Sequence, residues 1–146
     1  MMKAAAEAAR EPESKTRPLV FGVTVLTHLG DEDLHALGWE STSRHHVVRL
    51  ARLAHDSGLD GVVASAHEVE AVREATEGKL EVLVPGVRPQ WAGASHDQKR
   101  VATPAEVVRA GARFVVVGRA ITTQADPRTA ASRILEEMDE AHTNRV

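Results

Sequence analysis

The chain contains no cysteine and no tyrosine, and only two phenylalanines and two tryptophans among 146 residues. Without cysteine there is no disulfide framework, no thiolate zinc site and no thiol nucleophile. Aromatics at 3% are too few to build a base-stacking platform for single-stranded nucleic acid. Charge of one sign is also lacking: 18 Lys and Arg stand against 21 Asp and Glu, a net charge of -3, which argues against an electrostatic nucleic-acid binder. No apolar run exceeds strand length, so no membrane span is expected. The opening Met1–Arg10 is Ala-rich with alternating charge and lacks the apolar stretch of a signal peptide. A soluble cytoplasmic protein is the expectation. Hydrophobic residues at 42% and charged residues at 27% describe one globular domain. The length falls well short of the ~250 residues of a closed eight-stranded α/β barrel.

What is present is a rhythm. Residues 1–11 read as a leading helix, with Met2, Ala5, Ala6 and Ala9 on one face, and residues 12–18 as a polar linker with two prolines. Residues 19–142 then hold four strand–helix units. Leu19–Leu26 is a near-continuous apolar run, as in a strand buried on both faces. Thr27–Ser43 is a polar connection ending in Ser41-Thr42-Ser43, whose hydroxyls can cap a helix. That helix runs over Arg44–Ser57 with a Val47, Leu50, Ala51, Ala54 stripe and a Gly58 stop. Leu59–Ala64 and Leu80–Val84 read as strands around a helix over His67–Thr76. Val87–Val101 is a long aperiodic loop. Thr103-Pro104-Ala105-Glu106 has the form of a capping box with proline at the first helical position, and Gly111 stops the helix. Phe114–Val117 is the fourth strand. Asp126-Pro127 opens a last helix with Ala131, Ile134, Leu135 and Met138 as its stripe. Helices alternating with apolar strands predict right-handed crossovers and a parallel sheet. Four such units fit either an open α/β sheet or half of an eight-stranded barrel.

In both arrangements ligands gather at the carboxyl ends of the strands. Thr27 and His28 follow the first strand, Ser65 the second, Arg88 and the long loop with Gln98 the third, and Gly118 with Arg119 the fourth. A glycine at a strand end lets an anion approach the backbone, and an adjacent arginine offers a planar donor fork for phosphate. Either arginine alone also fits a solvated turn; their joint occurrence with a long Gln-bearing loop is more specific. The eight histidines form no H-E-x-x-H pattern, because His67-Glu68-Val69-Glu70-Ala71 fails at its last position, so no metal site is expected. Asp31, Glu32 and Asp33 read as a helix N-terminus or a solvated loop. Ser65 lacks the glycines of a nucleophile elbow. Trp39 and Trp91 fall in loops, where each fits a core cap or a ligand cap.

Six segments together resemble a known family. They are Val23–Thr27, Gly58–Ala66, Val84–Pro89, Asp97–Arg100, Thr103-Pro104 and Val117–Thr122. In order and spacing they are similar to bacterial-type orotidine 5'-phosphate decarboxylase, over about residues 18 to 135. The resemblance implies the second half of a TIM (β/α)8 barrel, a homodimer, and conversion of orotidine 5'-phosphate (OMP) to uridine 5'-phosphate (UMP) without metal or organic cofactor. It implies that Thr27 bonds the pyrimidine and that Gln98 reaches base and phosphate. It implies that Arg119 with the Gly118 backbone grips the phosphate, and that Arg88 is a further ligand-binding arginine. Val84 stands where the family has Thr, and the stretch from Arg88 to Gln98 is one residue longer than common. A larger departure concerns the family's alternating Asp-x-Lys-x-x-Asp network. The only Asp-x-Lys here is Asp97-Gln98-Lys99, with Ala102 five positions after the aspartate. Hence no catalytic residue is expected in this chain, and the isolated chain is expected to be inactive. It should pair with an N-terminal half-barrel partner, form a homo-oligomer, or be a fragment of a longer product. The alternative is a non-catalytic half-barrel that binds a nucleotide phosphate.

Overall fold

The computed structural model describes residues 1–11, 16–93 and 101–144. Their elements run α1 (Met2–Ala8), β1 (Phe21–Val23), α2 (Asp31–Ala36), α3 (Ser43–Asp56), β2 (Gly61–Val63), α4 (Val69–Ala75), β3 (Glu81–Pro85), α5 (Pro104–Ala110), β4 (Phe114–Val116), α6 (Arg119–Thr122) and α7 (Pro127–Thr143). The strands form one sheet in the order β1-β2-β3-β4, every pair parallel. Sequential order decides between the two arrangements the sequence left open. A doubly wound sheet reverses its order and carries helices on both faces. Here every crossover steps to the next strand, and the helices share one face. Val62, Val82 and Val84 are buried on that face with Val47, Ala51 and Ala54 of α3, Val72 of α4 and Val107 of α5. The opposite face is concave and open, with Val23 63% exposed. The architecture is four parallel βα units, half of a (β/α) barrel.

Glycine makes two close approaches possible. A Cβ at Gly22 would lie 2.9 Å from Leu59 Cδ2 and 3.8 Å from Ala54 Cβ, so its absence lets α3 lie close on β1. On the other face, Gly61 leaves room for the Phe21 ring, which meets Phe114 edge to face with centroids 5.5 Å apart. Caps act where the sequence placed them. Thr42 Oγ1 accepts from His45 N at 3.3 Å, Thr103 and Glu106 form a reciprocal capping box, and Asp126 accepts from the N–H groups of Arg128 and Thr129.

Several expectations need correction. The first strand pairs over Phe21–Val23 rather than Leu19–Leu26, the length of the three-residue β2 beside it, and it is not buried on both faces: Leu19, Val23 and Leu26 are exposed. The connection Thr27–Ser43 contains α2, whose first turn is Asp31-Glu32-Asp33; Asp33 Oδ2 accepts from Gly30 N at 2.7 Å. The last helix buries Ala130, Ile134 and Ala141, and Leu135 points outward.

Asp60 clips the start of β1 to that of β2. It accepts from Val20 N at 2.8 Å and from Arg17 Nη1 at 3.0 Å. The Arg17 guanidinium, and then the Val20 N–H, hold the Asp60 carboxyl below its ordinary range despite partial burial. A carboxyl whose folded pKa is lowered stabilises the fold above its unfolded value, near 3.9, and that stabilisation is lost as pH falls through the lower folded value. Urea unfolding of wild type and Asp60→Asn from pH 3 to 7 should therefore show a stability gap of about 1–3 kcal/mol near neutrality that shrinks below about pH 4. A gap that widens in acid would contradict the clip.

Candidate ligand mouth at the strand ends

Each strand delivers its candidate residue to the same end of the sheet. After β1, Thr24 stays tied to β2, its N–H and Oγ1 both donating to Val63 O, at 3.2 and 2.7 Å. A turn closed by Leu29 N to Leu26 O then carries Thr27, half-buried, and His28, exposed. After β2, Ser65 is buried; its Oγ accepts from His67 N at 3.4 Å and caps the 3-10 turn Ala66–Glu68. The serine is thus a cap, which agrees with the missing elbow glycines. Glu68, only 4% exposed, sits in that turn, and nothing in its sequence context flagged a buried carboxylate.

After β3 the chain turns at Gly86, where φ is +72°, and a parallel bridge between Val87 and Ala102 closes the base of the long loop. Arg88 N donates to Ala102 O at 2.9 Å. Its side chain is half-buried, and Nη1 donates to Gly93 O at 3.2 Å, so the guanidinium folds back on its own loop. Gln98 lies outside the described residues. Trp91, in the 3-10 turn Gln90–Ala92, lies under the Arg133 guanidinium of α7 at 4.2 Å. That contact anchors the start of the loop on the last helix. The two residues lie 42 positions apart in the sequence, and no local pattern announces their meeting.

After β4, Gly118 is the N-cap of α6 and Arg119 its first residue, both exposed. Among the described residues nothing lies within 4 Å of where a Gly118 Cβ would stand, which leaves room for a ligand beside the backbone. Gly118 O accepts from Ile121 and Thr122, and Arg119 O accepts from the Thr123 N–H and hydroxyl. These bonds fix the backbone that carries the Arg119 guanidinium. Thr27, Arg88, Gly118 and Arg119 thus stand at the carboxyl end of the sheet, where barrels of this architecture place their ligand sites.

Elsewhere, a cleft of about 760 Å3 between Trp39 and α3 faces outward and holds none of these residues. Trp39 stacks on His46 there, centroids 4.5 Å apart, as a cap on α3. Among the described residues no three His, Asp or Glu side chains converge as a metal cage, and no helix is long and apolar enough to cross a membrane.

A singly wound row of parallel βα units is half of a (β/α) barrel. The model of the orotidine 5'-phosphate decarboxylase / HUMPS family matches residues 1–134, and the chain belongs to that family. It is 48% identical over 139 residues to the orotidine 5'-phosphate decarboxylase of Trichlorobacter lovleyi, covering 94% of this chain and 57% of that protein. With the corresponding protein of Syntrophus aciditrophicus it shares 50% identity over 121 residues, 83% of this chain and 48% of the other. The crystal structure of orotidine 5'-phosphate decarboxylase from Lactobacillus acidophilus superposes with a TM-score of 0.79 at 30% identity, over 95% of this chain and 58% of that one. The chain therefore spans about half the length of these relatives.

Proposed function

We propose that this chain is a single half-barrel unit forming the nucleotide-gripping half of an orotidine 5'-phosphate decarboxylase. Arg119 and the open Gly118 backbone take the 5'-phosphate, Thr27 bonds the pyrimidine, and Arg88 and Gln98 complete the ligand contacts. The observation that carries this reading is the placement of Gly118-Arg119 at the end of β4 within a family match over residues 1–134.

Decarboxylation leaves a carbanion on the pyrimidine ring, which a nearby ammonium must stabilise and protonate. Phosphate binding energy can drive closure and raise the rate only where such a group is in place. The sequence offers no Asp-x-Lys-x-x-Asp; its one Asp-x-Lys belongs to the long loop. We assign no catalytic residue to this chain. On this reading the lysine and carboxylates lie in the first half of the barrel, outside these residues, whether in a longer product or in a partner, and without that half these residues bind nucleotide and do not turn over.

The test is calorimetric titration with UMP, joined to an OMP decarboxylation assay of the chain alone and co-expressed with the first half of the Trichlorobacter lovleyi protein. Binding without turnover alone, and turnover on co-expression, is the expected result. Absence of UMP binding overturns the reading. Turnover by the chain alone overturns the division of labour. Binding that never yields turnover identifies a non-catalytic nucleotide-binding half-barrel.

A further inference from the structure

Helix α7 reaches both stems of the connection between β3 and α5. The Arg133 guanidinium lies 4.2 Å from the centroid of the Trp91 ring. One turn further along α7, Glu137 accepts from Ala105 N at 3.3 Å. The stems are also tied to each other, by the Val87–Ala102 bridge and by Arg88 N donating to Ala102 O at 2.9 Å. Trp91 belongs to a tightly bonded piece of chain. Pro89 before it is buried, and Ala92 N donates to Pro89 O at 3.1 Å to close the turn. The turn ends at Gly93, whose carbonyl accepts from Arg88 Nη1 at 3.2 Å. A line of contacts therefore runs from Arg133 through the indole and the turn to the Arg88 guanidinium.

Arg133 is exposed, and α7 is seated by the burial of Ala130, Ile134 and Ala141, so the contact with Trp91 is not what holds the helix. Its effect falls on the turn. A long side chain that must be ordered when a ligand arrives loses rotamer freedom at that moment, and one already held loses less. A guanidinium carries five N–H donors, and the bond to Gly93 O uses one of them. We propose that Arg133 is a positioning residue: by pinning Trp91 it fixes the turn whose Gly93 carbonyl holds Arg88, and so presents Arg88 to the nucleotide in few conformations. That Arg88 meets nucleotide rests on the function proposed above; the pinning of the turn does not.

Arg133→Leu keeps the apolar stem and removes the cation, and Arg133→Lys restores a cation over the ring. In calorimetric titration, UMP should bind about three- to tenfold more weakly to Arg133→Leu, with most of the loss recovered in Arg133→Lys. In an Arg88→Ala background the leucine substitution should cost nothing further, because it acts through Arg88. Without ligand, the Ala92 amide should exchange its hydrogen faster in Arg133→Leu than in wild type, while the melting temperature stays close to that of wild type. Unchanged Ala92 exchange, UMP affinity indifferent to Arg133→Leu, a loss that persists in full without Arg88, or a large fall in melting temperature would each overturn the proposal. Failure of the wild type to bind UMP overturns the proposed function, and Ala92 exchange then still decides whether Arg133 holds the turn.

Discussion

Replacing Arg119 with alanine is expected to weaken UMP binding by roughly 30- to 150-fold, the loss of about 2–3 kcal/mol that follows removal of charge-assisted hydrogen bonds to an anion. Stability should barely change. The Arg119 side chain is exposed, and the bonds that hold α6 in place run through its backbone carbonyl, which the substitution leaves intact. Arg119→Lys should recover part of the affinity, because an ammonium keeps the charge and loses the planar fork. Calorimetric titration of the three proteins at one salt concentration checks the series. Uridine without its phosphate supplies the control: its weaker binding should be indifferent to the substitution. Equal UMP affinity in wild type and Arg119→Ala would remove the phosphate from this end of β4.

The largest structural effect is expected at Gly61. A methyl group there would drive into the Phe21 ring and come within 2.6 Å of the Glu81 carbonyl oxygen. Neither neighbour gives way cheaply. Glu81 O is backbone within the sheet, and Phe21 is held against Phe114. Gly61→Ala should cost about 3 kcal/mol or more, the upper end of overpacking in a closed core, and lower the melting temperature by roughly 10 °C. Gly38→Ala is the comparison. Among the described residues no atom lies within 4 Å of a Cβ there, and only its φ of +82° opposes a side chain, a cost of about 1 kcal/mol. Thermal denaturation followed by circular dichroism separates the two. Equal losses would mean that steric room at Gly61 is not what shapes the concave face.

Features with a local chemical cause were legible in the sequence. Thr103-Pro104-Ala105-Glu106 specifies its own capping box, and Asp126-Pro127 its own helix start. Gly58 and Gly111, with φ of +80° and +94°, end α3 and α5 because other residues resist that backbone. The strand-end positions of Thr27, Arg88, Gly118 and Arg119 followed from the parallel βα rhythm alone. Elements too short to show a period were not legible. α2 buries only Leu34, and α6 is a single turn that buries only Ala120. In α7 Ile134 packs inward as the stripe requires and Ala131 and Met138 are half-buried, but Leu135 is exposed, because apolar character alone does not distinguish it from the smaller Ala130 that packs inward. Contacts made by the fold were invisible as well: Trp91 beneath Arg133, and Asp60 clipping Arg17 and Val20 across some forty residues of chain. Local grammar sets where elements begin and stop, whereas their partners depend on curvature that no window of sequence contains.

The edge-to-face pair of Phe21 and Phe114 joins the first strand to the last across the hollow. Its consequence is kinetic. On the proposed reading, an arc already held at its final curvature meets the first half of the barrel as a rigid body, so little conformational entropy remains to be lost on encounter, and docking need not wait for refolding. Loosening that brace would leave a floppier ribbon that must find its bend and its neighbour together, and assembly should slow even where the finished cylinder is no less stable.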